Sequence, residues 1–443
     1  LIPFAHQLVG ARFLSDRKNA LLADEPRVGK TGAAILAADD LFLPSILVVT
    51  TASGRPVWRY AFSQWSSFGR SVEVLKPGRP ATADVVIVSW QSLNNAKILG
   101  ALLARKWSVV IGDESHLAKN FSASRTRNFY GGNGMGYAGV VGKAERVWCL
   151  TGTPAPHAPD DLYPMMVSLC PQRLDANSHR GWPDVNGEMS FRDRYCIVKM
   201  KQISQFRKIP VVIGGRNEPE LKSRLEGFVL RRTQKDIGIH PPIFDMLPLS
   251  ISPADLKAIN ADLDKATILA AARTGNTKEL EMHLGPLRRL TGEIKAKAVI
   301  EAAKEEFDCG LDKLVLAYWH RDVGAILRDG LAKLGVVGID GSTPTHQRES
   351  ALHNFSTKSD CRIFLAQIEA AGEAIDLSAA AELWFVEQTF SPRHRTQMSM
   401  RITNINQRRN TLVRTYVLEG SIDEAVEMVL SRLTASINAV LNS

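Results

Sequence analysis

The chain lacks the cysteine pairs and the long apolar runs that would settle its class at once. Its five cysteines, Cys149, Cys170, Cys196, Cys309 and Cys361, are scattered through 443 residues without a CxxC spacing. That pattern argues against a zinc ribbon and against a disulfide framework, and it fits a reducing compartment. No stretch reaches the roughly 18–20 apolar residues of a membrane-spanning helix, so no membrane partner is expected. The first residues, LIPFAHQLVGARF, lack the charged-then-apolar order of a secretion signal, and a cytoplasmic location is the expectation. Repeats of solenoid length and low-complexity segments are missing as well.

What is present is a globular composition with a basic bias. Hydrophobic residues make up 45% of the chain, enough for large cores. Lys and Arg number 55 against 46 Asp and Glu, a formal charge of +9 that suits a polyanion such as DNA or RNA. At about 150 residues per domain, this length holds roughly three domains.

Short β-branched runs recur in the first third: Ala20–Leu22, Ile46–Thr50, Val85–Ser89, Val109–Ile111 and Val147–Leu150. Runs of this kind suit strands buried on both faces of a parallel sheet. Helix-like stretches at 5–17, 31–40 and 92–106 precede or separate them, which predicts a doubly wound α/β domain over 1–155. The glycine-rich stretch within 126–143 reads as a surface loop. Residues 156–300 read as helical elaborations and a linker, with helical pieces at 160–169 and 216–232 and nearly continuous helix over 252–306. A second α/β pattern follows over 301–443, with strands expected at Lys313–Trp319, Val336–Ile339, Arg362–Gln367, Leu383–Glu387 and Leu412–Leu418. Helix-like stretches at Val323–Lys333 and Pro344–Phe355 separate the first three of these.

Two segments carry the chemistry. Residues 20–31, ALLADEPRVGKT, are a strand running into a loop that closes on Gly29-Lys30-Thr31. Gly29 allows backbone N–H groups to approach a phosphate, Lys30 supplies charge to the β/γ-phosphates, and Thr31 offers a hydroxyl to Mg²⁺. Asp24 stands where the phosphate-loop pattern has its first glycine. Residues 108–116, SVVIGDESH, deliver Asp113 and Glu114 at a strand end. Asp113 is expected to hold Mg²⁺, and Glu114 to orient or deprotonate the attacking water. His116 beside them is a further catalytic candidate, with a hydrogen bond to a loop as its plainer reading, and the two hydroxyls of Thr151-Gly152-Thr153-Pro154 after a later strand can bridge the acidic site and a neighbouring domain. A triphosphate with its magnesium needs both segments in one site, so the expected cofactors are ATP and Mg²⁺.

In this order the motifs resemble those of superfamily 2 helicases, and within them the Snf2-type double-stranded DNA translocases. The resemblance implies two RecA-like domains in tandem with helical insertions between them. It implies adenine recognition by Phe4 and Gln7, and a nucleotide contact from Gln397. It places Ser53, Ser89, Lys119, Thr151, Thr153 and Ser342 on the DNA side. The family's DEMGLGKT is Asp24-Glu25-Pro26-Arg27-Val28-Gly29-Lys30-Thr31 here, and its DEAH is Asp113-Glu114-Ser115-His116. LTGTP at 150–154, the segment 341–355, AAGEAIDLSAA at 370–380 and residues 397–407 match further family motifs. The last of these carries two arginines in the family. Arg401 matches the first, a catalytic arginine finger; Asn404 stands at the second.

The reading that follows is an ATP-driven motor on double-stranded DNA, with forked or single-stranded DNA as further partners. A strand-separating or fork-remodelling helicase is the first alternative. An ATP-gated DNA clamp or scaffold with weak turnover is the second, with RNA as substrate ranked below these. The compact motif set points to a bacterial cell, on its nucleoid, or to a phage within one.

Overall fold

The structure, a computed structural model, describes residues 2–132, 139–155, 158–176, 181–204, 207–250, 277–371, 375–387, 392–404, 407, 409–421, 423, 424 and 427. The chain divides into two compact units, Leu1–Ile237 and Gly238–Ser443.

The first unit is built on a sheet of β1 (Asn19–Leu22), β2 (Ile46–Thr50), β3 (Val72–Val74), β4 (Val85–Ser89), β5 (Trp107–Asp113), β6 (Ala144–Leu150) and a late strand at Val229–Leu230. Every pairing in it is parallel. Alternate residues of the same strand enter two different cores. Leu47, Val49, Val86, Val88 and Val110 pack on one face. Ile46, Val48, Val85, Ile87 and Ile111 pack on the other. Burial on both faces is why these strands read as unbroken β-branched runs.

The helix Ala5–Ser15 precedes β1, and the helix Lys30–Asp40 follows it. Seven of the eleven residues of the second helix are buried, five of them glycine or alanine, so it lies close against the sheet. A buried ion pair secures its end: Arg70 Nη2 donates to Asp39 Oδ1 at 2.9 Å, and Ser67 N donates to Asp39 Oδ2 at 2.8 Å.

The stretch expected to be helical elaboration is not uniformly so. It contains an antiparallel hairpin, β7 (Cys196–Ser204) with β8 (Arg207–Gly215). It then gives β9 (Val229–Leu230) to the first sheet beside β1, and β10 (Ile243–Leu249) to the second beside β15. The structural division at 237/238 therefore differs from the expected boundaries at 155 and 300. The cause is long-range pairing: β9 is only two residues long, and β10 carries Pro248 and an exposed apolar face, so neither has the pattern of a buried strand. The helix Ser124–Tyr130 ends just before the glycine-rich stretch, and Val140–Lys143 form a 3₁₀ turn just after it. Residues 133–138 of that stretch, and 252–276 of the expected helices, lie outside the described residues.

The second unit holds β11 (Leu314–Tyr318), β12 (Val336–Ile339), β13 (Ile363–Gln367), β14 (Glu382–Phe385) and β15 (Leu412–Leu418). Its six strands run in the order β10-β15-β14-β11-β13-β12, all parallel. The helix Thr277–Asp308 packs one face through Ala296, Val299, Ile300, Ala303 and Phe307. The opposite face is closed by Ala351, Phe355, Met398 and Ile402. Both units are thus parallel α/β sheets, the two RecA-like domains expected in tandem.

Candidate functional site

In a parallel sheet the carboxyl ends of neighbouring strands lie along one edge, and ligands bind there. The register sets that edge in the first unit: Leu22 stands opposite Leu150, Leu150 opposite Asp113, and Val49 opposite Gly112. The end of β2 and the segments that follow β1, β5 and β6 are therefore brought level, and they contain Thr50, Lys30, Glu114 and Thr151.

Lys30 opens its helix, with Gly29 before it at φ 93°. That conformation suits glycine, and space demands it as well, since a Cβ there would lie 2.4 Å from Gln7 Nε2. The Lys30 ammonium donates to Asp24 O at 2.7 Å and Glu25 O at 3.1 Å. Burial pushes its pKa below the ordinary lysine value, while the carboxylates of Glu114, Asp24 and Asp113 push it back up. The lysine and both acids of the second segment are thus electrostatic neighbours.

Asp113 is positioned by residues that no motif reading named. Thr50 Oγ1 and Trp58 Nε1 both donate to its Oδ2, at 2.7 and 2.8 Å, and Trp90 Nε1 donates to its backbone oxygen at 2.8 Å. Burial raises its pKa, opposed by the two donors and by Lys30. Its other carboxylate oxygen is not the target of those donors, an arrangement suited to a metal ligand. Among the described residues no three acids, histidines or cysteines cluster as a closed metal site.

Glu114 sits in the left-handed region at φ 51°, turning the chain sharply at the strand end. Its Oε2 lies 3.2 Å from His116 Nδ1, and the same nitrogen is 2.8 Å from Thr151 Oγ1. Thr151 Oγ1 in turn accepts from Thr153 N at 3.1 Å. With the ring proton on Nδ1, His116 donates it to the Thr151 hydroxyl and lies beside the Glu114 carboxylate. The acidic segment and the threonine loop are thereby neighbours joined through His116.

The remaining expected residues fall in several places. Gln7 is buried, accepts from Phe4 N at 2.9 Å, and lies over Gly29 and Gly32. Phe4 is exposed and stacks on His6 at 5.6 Å. Ser53 bonds to Thr51 within the turn after β2. The structure places Ser89 and Thr151 inside the unit rather than on its surface, because their hydroxyls bind Ser92 and His116. Lys119 Nζ lies 3.6 Å from Asp161 and lines a cleft of about 250 Å³ with Phe121, Tyr163 and Arg192, a cleft to which neither Lys30 nor Asp113 contributes.

Arg401, Gln397 and Ser342 belong to the second unit. Arg401 is largely buried, with Nη1 3.5 Å from Ile375 O. Gln397 is buried on the helix Pro392–Ser399. Ser342 is exposed in a turn organised by Asp340, whose Oδ1 accepts from Ser342 N at 2.8 Å and Oγ at 2.7 Å.

Comparison with known proteins gives this geometry a family. The SNF2-related domain model matches residues 6–296, and the helicase conserved C-terminal domain model matches residues 312–406. The chain belongs to the SNF2-related family. It is thus placed among the DNA-dependent ATPases of superfamily 2. SNF2-family relatives include the mouse (Mus musculus) DNA annealing helicase and endonuclease ZRANB3, 25% identical over 460 residues. That match covers 100% of this chain and 41% of the mouse protein. A second is the Xenopus tropicalis SWI/SNF-related matrix-associated actin-dependent regulator of chromatin subfamily A-like protein 1, 28% identical over 439 residues, with 96% of this chain and 43% of that protein covered. The chain spans about two fifths of the length of these relatives. Among solved structures, the Sulfolobus solfataricus SWI2/SNF2 ATPase core in complex with dsDNA is similar, with 18% identity and a TM-score of 0.44, over 99% of this chain and 94% of that one.

Sequence reasoning missed a strap that holds the SNF2-type phosphate loop. Arg232 pairs with both oxygens of Asp24, which is only 1% exposed, and reaches His6 O. Gln234 donates from its backbone to Glu25 Oε2 at 2.8 Å and from its side chain to Pro26 O at 2.9 Å. The signal was the arginine pair in VLRRTQ at 229–234, which a helical reading of 216–232 concealed.

Proposed function

We propose that this chain is an ATP-driven translocase on double-stranded DNA. The observation that carries the reading is the convergence, at one sheet edge, of Lys30 with the acids Asp113 and Glu114, inside a chain of the SNF2-related family. Lys30 and the N-terminus of its helix bind the triphosphate. Asp113 and Thr31 would hold Mg²⁺, which would supply positive charge against the triphosphate. Glu114 orients the attacking water and takes its proton. Phe4 and Gln7 contact the adenine, Gln7 also reporting on the phosphate loop through Gly29. Arg401 supplies a guanidinium to the transferring phosphate, and Gln397 contacts the nucleotide.

On the DNA side, Ser53, Lys119, Thr153 and Ser342 contact the phosphate backbone. Ser89 and Thr151 act indirectly, by shaping the loops that do so. Backbone contacts make binding salt-dependent and largely independent of sequence. The His116 bridge between Glu114 and Thr151 gives duplex binding a route to the water-activating acid.

The test is turnover with duplex DNA, single-stranded DNA and RNA across a salt series, paired with triplex-displacement and strand-displacement assays. Duplex stimulation with triplex displacement and no unwinding is expected. Strand separation without triplex displacement would move the assignment to a helicase. Relatives named DNA annealing helicases favour a second use of the same motor, at forked or partly single-stranded DNA.

A further inference from the structure

The second unit carries two tryptophans, and the fold treats them differently. Trp384 is fully buried in β14, and its Nε1 donates to Glu382 Oε2 at 2.9 Å. Trp319 stands just past β11, at the carboxyl edge of the sheet, and stays partly exposed. Its ring packs against the core beneath it and lies 6.0 Å from the His394 ring, at an interplanar angle of 39°.

The backbone under this ring is held from both sides. Glu387, fully buried, accepts at Oε2 from Trp319 N at 2.7 Å and from His320 N at 2.8 Å, and its Oε1 meets His320 Nδ1 at 2.6 Å. Gln367 Nε2 donates to Trp319 O at 3.0 Å. Room for the carboxylate comes from Gly292 in the helix Thr277–Asp308, where a Cβ would lie 2.7 Å from Glu387 Oε1. A buried carboxylate is costly unless donors surround it, and here the donors are the backbone of Trp319 and its neighbour. Apolar packing is non-directional and needs no such clamp. A ring fixed in place at a ligand edge does need one.

Gln367 also reaches the turn that carries Ser342. Its Oε1 accepts from Gly341 N at 2.7 Å, so the tryptophan and the turn flank one amide. Arg321 is exposed, and its Nη2 would lie 3.8 Å from a Cβ on Gly341. An aromatic ring, a hydroxyl turn and a cation therefore share one edge within a single unit. Cations attract a nucleic-acid backbone, and aromatic faces hold unpaired bases by stacking. A closed duplex covers its base faces with neighbouring bases, so only an unpaired base can offer one.

We propose that Trp319 stacks on an unpaired base of the DNA, on a strand whose phosphates meet the Ser342 turn. The second unit thereby favours duplex DNA that continues into a single-stranded arm. This rests on the reading of Ser342 as a DNA contact. No bond forms or breaks at Trp319.

The experiment compares the full chain with Trp319→Leu, which keeps apolar bulk without a π face, and Trp319→Phe, which keeps a smaller face. Three DNAs are titrated at one salt concentration: a blunt duplex, the same duplex with a single-stranded arm, and that duplex with an arm of abasic sites. The last two carry equal phosphate charge. 2-Aminopurine marks the first unpaired base of the normal arm. The wild type should prefer the normal arm to the abasic one by about tenfold, the order of affinity that stacking one base on an aromatic ring contributes, and should quench the 2-aminopurine on binding. Trp319→Leu should lose both the preference and the quenching, with affinity for the blunt duplex within about twofold of wild type, and Trp319→Phe should keep part of each. The quenching by the unmutated chain tests the contact without any variant. A wild type that binds both arms equally, or leaves 2-aminopurine unquenched, would overturn the role of Trp319. So would a Trp319→Leu chain that keeps the preference, or one that loses affinity for all three DNAs in parallel. A wild type that binds none of the three would instead remove the reading beneath it.

Discussion

The two units handle their polar strand-end groups in opposite ways. In the first, the phosphate loop and the acidic segment are tied by residues distant in the chain: Arg232 and Gln234 on the loop, Trp58 and Thr50 on Asp113, Thr151 on His116. In the second, the segment carrying Arg401 is mostly satisfied by its near neighbours Ile375, Ser378 and Ala380. The first arrangement fixes ligand-facing groups against a rigid sheet before any substrate arrives, which is what electrostatic preorganisation needs. The second stabilises a loop through its own backbone and hydroxyl groups.

The contrast predicts a graded series of effects. Asp113→Ala removes the metal ligand and should lower ATP turnover by ~10³ or more, as expected for losing several kcal/mol of charge stabilisation. Arg401→Ala should lower kcat by ~10²–10³ with a smaller change in ATP affinity, which steady-state kinetics will separate. His116→Ala cuts the bridge to Thr151 and should reduce duplex-stimulated turnover by about fivefold, the worth of one neutral hydrogen bond of about 1 kcal/mol. Asn404→Ala should cost about 1 kcal/mol of stability by denaturant titration and leave turnover within about twofold. A large loss of turnover there would break the contrast, by showing that the second unit's local network also serves the chemistry.

The smallest effect concerns the thiols. Burial pushes Cys149, Cys170 and Cys196 of the first unit up to about 12 and raises Cys361 as well, whereas Cys309 is exposed. At pH near 8 a thiol reagent should therefore modify Cys309 rapidly in the native protein and reach the other four only on unfolding. Rapid reaction at Cys149, which pairs with Gly112 beside Asp113, would show that the first sheet opens far more readily than its packing implies.

Much of the sheet framework was legible because burial on both faces leaves short apolar runs such as Ile46–Thr50 and Ile363–Gln367 in the sequence. The hairpin at 196–215 was not, since lysines, Pro210 and two register shifts blur its alternation. The strand Val229–Leu230 owes its existence to β1 and has no signature of its own. In the site, Lys30, Asp113 and Glu114 were readable from spacing alone, because triphosphate chemistry constrains that spacing. Their supports were not: Arg232 meets Asp24 across 208 residues, and Trp58 meets Asp113 across 55. Contacts over such separations follow from topology, which a single sequence states only after its strands have been ordered.

The central claim is that Glu114 activates water on a triphosphate held by Lys30, and that duplex DNA accelerates this step. Phosphate release by the wild type and by Glu114→Gln, with and without duplex DNA, tests it most directly. The account predicts turnover that duplex DNA raises about tenfold or more in the wild type, and a variant that binds ATP and duplex yet releases no phosphate above background. Equal phosphate release by the two proteins, or a wild type indifferent to duplex DNA, would contradict it.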